Sequence, residues 1–335
     1  MFAVATSLLL AAVGTVVVWT GSQSLEGAAD DLAAAYGLPV VVQGAIVAAV
    51  GSSAPELSSV LLATLLHQEF ELGVGAVVGS AVFNLLVIPS AAALIGGALP
   101  TTRELVYKEA LFYMLAVAAL LLTFSMAVIY NPADGSGLPG TVTRSLALFP
   151  LALYGIYLFA QYLDTADHGP ASSDDVDVVR TWLAFGLGLA LIVVGVEALV
   201  RAAIGLGEAF GTPTFLWGMT VVAAGSSLPD AFVSIAAARA GRPTVSVANV
   251  LGSNTFDLLV AVPVGVLVAG SLTVTFAHVV PMMGYLVLAT TAFFAVARTE
   301  MLLSGREAWG LLALYGGFVV WLVLESVGAL SVVAT

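Results

Sequence analysis

Glu56, Asp230 and Asp257 are carboxylates set in long apolar stretches, and Asn84 is an amide in the same kind of setting. An acid in the middle of a bilayer-length apolar segment costs roughly 2.5–3.5 kcal/mol on insertion scales, so it is normally kept for a function. The four residues fall in two matched copies. Gly51-Ser52-Ser53-Ala54-Pro55-Glu56 returns as Gly225-Ser226-Ser227-Leu228-Pro229-Asp230, and Gly79-Ser80-Ala81-Val82-Phe83-Asn84 returns as Gly252-Ser253-Asn254-Thr255-Phe256-Asp257. Ser52, Ser80, Ser226 and Ser253 each stand four residues before the acid or amide, so the helical period stacks a hydroxyl over it on one face. Pro55 and Pro229 precede the acids, and a mid-helix proline leaves the carbonyls of Gly51 and Gly225 without their helical donors. Carbonyls, hydroxyls and carboxylates together are what hard cations such as Na⁺ and Ca²⁺ require. The pattern points to a cation site in a transporter. Gly44, Gly218, Ser58 and Ser59 are read instead as close-packing residues between membrane helices.

The elements that must carry these residues are membrane helices. The chain of 335 residues is 60% hydrophobic and 9% charged, with a mean hydropathy of +1.08. Its apolar runs are long enough to cross a bilayer as helices, which takes about 20 residues. Ten spans are expected: 3–33, 40–66, 71–96, 106–130, 143–163, 179–207, 213–239, 243–269, 274–297 and 306–333. The polar stretch 164–178 divides them into five and five. Residues 1–36 align with 175–210 and residues 37–56 with 211–230 at an offset of 174, and after a one-residue gap the offset becomes 173. An odd number of crossings per copy forces the copies to insert in opposite senses. The expected architecture is an all-α membrane protein of ten transmembrane helices in two inverted five-helix repeats. The first covers 1–163, with its motif at 44–90. A short acidic linker spans 164–178, and the second repeat covers 179–335, with its motif at 218–264.

Charge sets orientation and excludes partners. Arg103, Lys108, Arg180, Arg239, Arg242, Arg298 and Arg306 collect on one side of these spans, against Arg144 and Arg201 on the other. The positive-inside rule then places the 164–178 linker in the cytoplasm and the N-terminus outside, in a multi-pass plasma-membrane protein. The N-terminus lacks the basic start of a signal peptide. A net charge of −12 argues against a nucleic-acid partner, and the absence of cysteine excludes thiolate metal sites and Cys nucleophiles. His67, His168 and His278 form no cluster along the chain, so a zinc or copper site is not expected. No prosthetic group, no enzyme activity and no obligate protein partner is indicated; the partners are the transported ions and the lipid bilayer. An intramembrane aspartyl protease would need a Gly-x-Gly-Asp signature, which is absent, and would leave the repeat unexplained. Glu197 and Arg201 are expected to pair along one helix, and Glu26, Asp30 and Asp31 to lie on a solvated face. The five tryptophans are read as packing or interfacial anchors.

The two Gly-Ser-Ser motifs resemble the alpha repeats of the sodium/calcium exchangers, in the cation/Ca²⁺ exchanger superfamily. The following Val74–Asn84 and Val247–Asp257 stretches resemble its potassium-dependent branch in particular. The motifs cover about 90 residues. The resemblance implies antiport of Na⁺ against Ca²⁺ by alternating access, normally extruding Ca²⁺, with K⁺ as a possible co-substrate and Ca²⁺/H⁺ exchange as the nearest alternative. It implies a Ca²⁺ position between Glu56 and Asp230, helped by backbone oxygens of Ser52 and Ser226. It also implies flanking Na⁺ positions built from Ser53, Ser80, Ser227, Ser253 and the carbonyls of Ala49 and Ala223, with Asn84 and Asp257 completing the centre. Three features depart from relatives: Asp230 where some microbial members carry Glu, serines at 52 and 226 where threonine is common, and a linker too short for regulatory Ca²⁺-binding domains.

Overall fold

The computed structural model describes residues 2–37, 49–103, 105–165, 177–240, 243–326, 329–330 and 332. The expected motif start at Gly44, the basic residue Arg242 and most of the linker, His168 included, lie outside the described residues. Among those described, nine helices are long and apolar enough to cross a membrane. A tenth expected span is represented by its second half, which holds Glu56. In chain order the helices are α1 (Phe2–Ala35), α2 (Ala49–Ser52), α3 (Ala54–His67), α4 (Phe70–Leu86), α5 (Ile88–Gly96), α6 (Ala110–Tyr130), α7 (Arg144–Thr165) and α8 (Val178–Phe210). They continue with α9 (Thr214–Trp217), α10 (Ala223–Arg239), α11 (Pro243–Phe256), α12 (Val262–Ala269), α13 (Phe276–Arg298) and α14 (Gly305–Ser326). The last helix stops at Ser326, short of the expected 333, and the Leu324 carbonyl accepts the N–H groups of Ala329 and Leu330 at 2.8 and 3.2 Å.

Burial sorts these helices into an inner layer and an outer one. Helix α4 with α5 is buried on nearly every side, whereas α1, α7 and α14 leave much of their length exposed. Leu8, Leu9, Val13 and Val16 of α1 are among the large apolar side chains on the outside, as a bilayer-facing surface requires. Several spans are broken by irregular turns near their middles or ends, among them the break at Ser53 and a π-helical turn at Leu105–Glu109. The α4 axis breaks at Val87 just before Pro89, and π-helical turns occupy Gly218–Val222 and Asp257–Ala261. Such turns are common at functional sites because they redirect carbonyls and side chains.

Several contacts between the two halves are reciprocal. Helices α1 and α8 cross antiparallel through glycines: a methyl on Gly14 would stand 2.8 Å from the Gly195 carbonyl, and one on Gly21 would stand 2.8 Å from that of Gly188. Gly14 aligns with Gly188 and Gly21 with Gly195, so each contact is the counterpart of the other. Four short strands, unforeseen from hydropathy, behave the same way. Strand β1 (Leu99–Pro100) pairs antiparallel with β4 (Leu302–Leu303), and β2 (Pro139–Thr143) with β3 (Ser271–Thr275). In each pair the connection after the third span of one half meets the connection after the fourth span of the other.

Candidate ion-binding site

Two buried helices of the first half and two of the second deliver the polar residues. Glu56 lies in the first turn of α3, immediately after the helix breaks at Ser53 (φ −92°, ψ 6°) and restarts with Pro55 in the same turn. Ser80 and Asn84 lie on α4. Helix α4 approaches the 214–223 segment closely because Gly79 has no side chain: a methyl there would run into the Met219 backbone and stand 2.8 Å from the Ala223 side chain. Ser226, Ser227 and Asp230 sit on α10, which runs unbroken through Pro229. Ser253 and Asn254 sit on α11, and Asp257 opens the π turn that follows.

All three acids are buried, with Glu56 and Asp257 each 1% and Asp230 4% exposed. Hydroxyls of both halves converge on one of them. Ser80 Oγ donates to Glu56 Oε1 at 3.0 Å, and Ser226 Oγ lies 2.9 Å from the same oxygen and 3.3 Å from the Ala223 carbonyl. Ser227 Oγ donates to Ser80 Oγ at 2.7 Å, extending the chain of hydroxyls. Ser53 Oγ reaches the Ser253 carbonyl at 3.4 Å, while the Ser253 hydroxyl turns back to Val250 at 3.2 Å. Ser52 is buried next to the break, and Ala49 opens the one-turn helix before it. Asp230 and Asp257 lie within electrostatic range of Glu56 and of each other. Among the described residues, no three Asp, Glu or His side chains close into a metal-holding group. The immediate partners of Glu56 are neutral oxygens.

Asn254 was not among the residues expected at the site, yet it fixes how Asn84 faces. The Ala81 carbonyl can only accept, so Asn254 presents Nδ2 to it, at 3.2 Å. That turns Asn254 Oδ1 toward Asn84, which must present its own Nδ2, at 3.0 Å. Asn84 Oδ1 is thereby left as a bare acceptor. The signal that could have found Asn254 is an amide in an apolar run, but its aligned counterpart is Ala81, so a search for matched polar pairs passes over it.

At this site four buried acceptor oxygens have no hydrogen-bond partner among the described residues: Glu56 Oε2, Asn84 Oδ1 and both carboxylate oxygens of Asp257. Leaving a buried acceptor unsatisfied costs about 1–3 kcal/mol, and more for a charged group. A hard cation satisfies such oxygens together, whereas a hydrogen-bond donor satisfies them singly. The arrangement therefore suits binding of a dehydrated cation by carboxylate, amide and hydroxyl oxygens.

The remaining polar residues sort differently. Glu197 and Arg201 pair as expected at 2.6 Å, and His67 Nε2 joins them, 3.0 Å from Glu197 Oε1. His278 Nδ1 meets Glu71 Oε2 at 2.7 Å at the edge of the inner layer. Trp19 stacks on Phe232 with ring centroids 4.4 Å apart, a packing role. Asp30 and Asp31 are exposed, in line with a solvated face, but Glu26 is not: it is half-buried and packs against Gly51. The face of α1 that carries Glu26 turns toward the core because Thr15 and Trp19, on the same stripe, contact α10.

Known proteins agree with this architecture. The chain is 28% identical to the inner membrane protein YrbG of Escherichia coli over 332 residues, covering 96% of each chain. It is 26% identical to the sodium/calcium exchanger MaX1 of Methanosarcina acetivorans over 280 residues, 74% of this chain and 79% of that protein. A solved structure of the sodium-calcium exchanger NCX_Mj superposes with a TM-score of 0.64 at 24% identity, covering 95% of this chain and 98% of the other, so the fold is shared. The model of the sodium/calcium exchanger protein family matches residues 6–163 and 180–324, nearly the whole length, and the chain belongs to that family.

Proposed function

We propose that the protein is a secondary antiporter that exchanges Na⁺ for Ca²⁺ across the plasma membrane by alternating access, ordinarily extruding Ca²⁺. The observation that carries this reading is the set of four acceptor oxygens at the junction of the two halves that have no donor among the described residues. Ca²⁺ sits between Glu56 and Asp230, with backbone oxygens of Ser52 and Ser226 contributing. Na⁺ ions take flanking positions at Ser53, Ser80, Ser227 and Ser253 and the carbonyls of Ala49 and Ala223, and Asn84 and Asp257 complete the centre. The name of the MaX1 relative supports the same pair of ions.

The halves are inverted five-helix repeats. The reciprocal crossings Gly14 to Gly195 and Gly21 to Gly188, and the reciprocal strand pairs, support this, because a two-fold axis in the membrane plane turns each contact into its partner. The cytoplasmic face is the one where β1 meets β4, next in sequence to Arg103, Arg298 and Arg306. The N-terminus and the β2–β3 ladder then lie outside.

Competition supplies the coupling. Without a cation the carboxylates repel one another in a low-dielectric site, and the loaded site loses most of that charge. Only a neutralised site crosses easily between inward and outward access, so exchange is favoured over leak. The α1–α8 pair, joined by glycine contacts, is the moving body. Proteoliposomes under a Na⁺, K⁺ or H⁺ gradient, imposed one at a time, test the reading. An outward Na⁺ gradient is expected to drive uptake of radiolabelled Ca²⁺. Uptake driven by a pH gradient without Na⁺ would establish Ca²⁺/H⁺ exchange instead.

A further inference from the structure

Helix α1 carries a polar stripe facing the core that its counterpart α8 lacks. Thr15, Trp19, Ser22 and Glu26 follow the helical period along one face. A methyl on Gly225 would stand 2.8 Å from Thr15 Oγ1, Trp19 stacks on Phe232, and a methyl on Gly51 would stand 3.6 Å from Glu26 Cγ. The stripe therefore runs along the two motifs that hold the central acids. Ser22 is 1% exposed, and its Oγ has no partner among the described residues. Glu26 lies one turn further on, within electrostatic range of Asp230. Among the described residues no Lys, Arg or His pairs with it. Asp30, a further turn along, is exposed. The aligned positions on α8 are Leu189, Val193, Val196, Val200 and Ile204, with Val196 and Val200 fully buried.

Resting on the antiport reading above, we propose that Ser22 and Glu26 form an accessory cation station on the path between the central site and the membrane face where α1 ends at Ala35. A cation leaving or approaching Asp230 meets the Ser22 hydroxyl and the Glu26 carboxylate before it regains water at Asp30. Among the described residues, the aligned valines of α8 give the other face no such station. The two approaches differ in kind: one concentrates cations by charge, and the other does not.

The test is sided. Oriented proteoliposomes containing the full chain report the half-saturating Ca²⁺ concentration from each face for wild type, Glu26→Gln, Glu26→Asp and Ser22→Ala. Glu26→Gln is expected to raise that concentration about tenfold on the Ala35 face, the lower end of what charge focusing in a cleft supplies, and to leave the opposite face unchanged. Glu26→Asp keeps the charge and should restore most of the wild-type value; Ser22→Ala should shift it in the same sided way by less. Equal shifts on both faces, or no shift on either, overturn the station while wild-type exchange keeps the central assignment intact. Absence of Na⁺-driven Ca²⁺ uptake in wild type overturns the antiport reading, and the station falls with it.

Discussion

The two Gly-Ser-Ser segments are alike in residues and unlike in backbone. In the first, the helix stops at Ser52, turns at Ser53 and restarts at Ala54, with the Leu57 N–H on the Ser53 carbonyl at 3.0 Å. In the second, α10 continues through Pro229, and the irregular turn lies upstream at Gly218–Val222. The acids differ too. Glu56 Oε1 is held by hydroxyls from both halves, whereas Asp230, one methylene shorter, lies near Glu56 without sharing its serines. The second pair of motifs shows the same inequality: Asn84 is an amide oriented by Asn254, while Asp257 is a carboxyl group whose oxygens have no hydrogen-bond partner among the described residues. A duplicated motif here builds a centre in which serines of both halves anchor Glu56, while the Asp257 oxygens have no hydrogen-bond partner among the described residues. Under the proposed exchange, that division suits a site that takes either one divalent ion or several monovalent ions.

Mutations can break or sharpen this comparison. Glu56→Ala and Asp230→Ala should show the largest effect. Losing one partner from a buried charged group costs about 3–5 kcal/mol, which corresponds to roughly a hundredfold or greater loss of Ca²⁺ affinity, and Na⁺-driven Ca²⁺ uptake should vanish. Length exchange separates the two acids. Glu56→Asp withdraws the carboxylate from Ser80 and Ser226, costing about 1–3 kcal/mol, or about tenfold in Ca²⁺ affinity measured by calorimetry. Asp230→Glu, which leaves the Ser80 and Ser226 contacts to Glu56 in place, should change affinity less; an equal or larger loss would show that the anchoring of Glu56 is unimportant.

Asn254→Leu comes next. It removes the group that fixes Asn84 and leaves the Ala81 carbonyl without its donor, for about 1–3 kcal/mol, read as a lower melting temperature and about tenfold weaker Ca²⁺ binding. Gly14→Ala should act on rate instead. Overpacking the α1–α8 crossing costs about 1–3 kcal/mol, so maximal exchange falls while the Ca²⁺ affinity of the detergent-solubilised protein stays within about twofold. Ser53→Ala should be the mildest, since it removes one neutral oxygen from the proposed flanking Na⁺ positions and one long hydrogen bond to the Ser253 carbonyl: a change of at most a few-fold in Na⁺ affinity, about 0.5–1 kcal/mol.

The apolar spans and the burial of the acids within them were legible in the sequence because transfer cost alone decides them. Apolar runs of bilayer length must be helices, and acids within them must be sheltered. Backbone detail was not legible. Pro55 and Pro229 remove the same hydrogen bond, but whether the helix breaks or bends depends on what packs beside it, which hydropathy does not carry. The strand pairs at 99–100 with 302–303 and 139–143 with 271–275 join segments far apart in the chain and too short to show a two-residue period. Asn254 was hidden by its apolar counterpart, and Glu26 by its neighbours Asp30 and Asp31, whose exposure was extended to it. The stripe Thr15, Trp19, Ser22, Glu26 was present in the sequence, but the direction it faces is set by the crossing of α1 on α8.

Anomalous diffraction from crystals soaked in Sr²⁺, a heavier stand-in for Ca²⁺, tests the central assignment most directly. The expected result is one strong peak at the junction of the halves, between Glu56 and Asp230, that disappears in Glu56→Gln crystals soaked alike. No peak there, or a peak that persists undiminished in the variant, would contradict it.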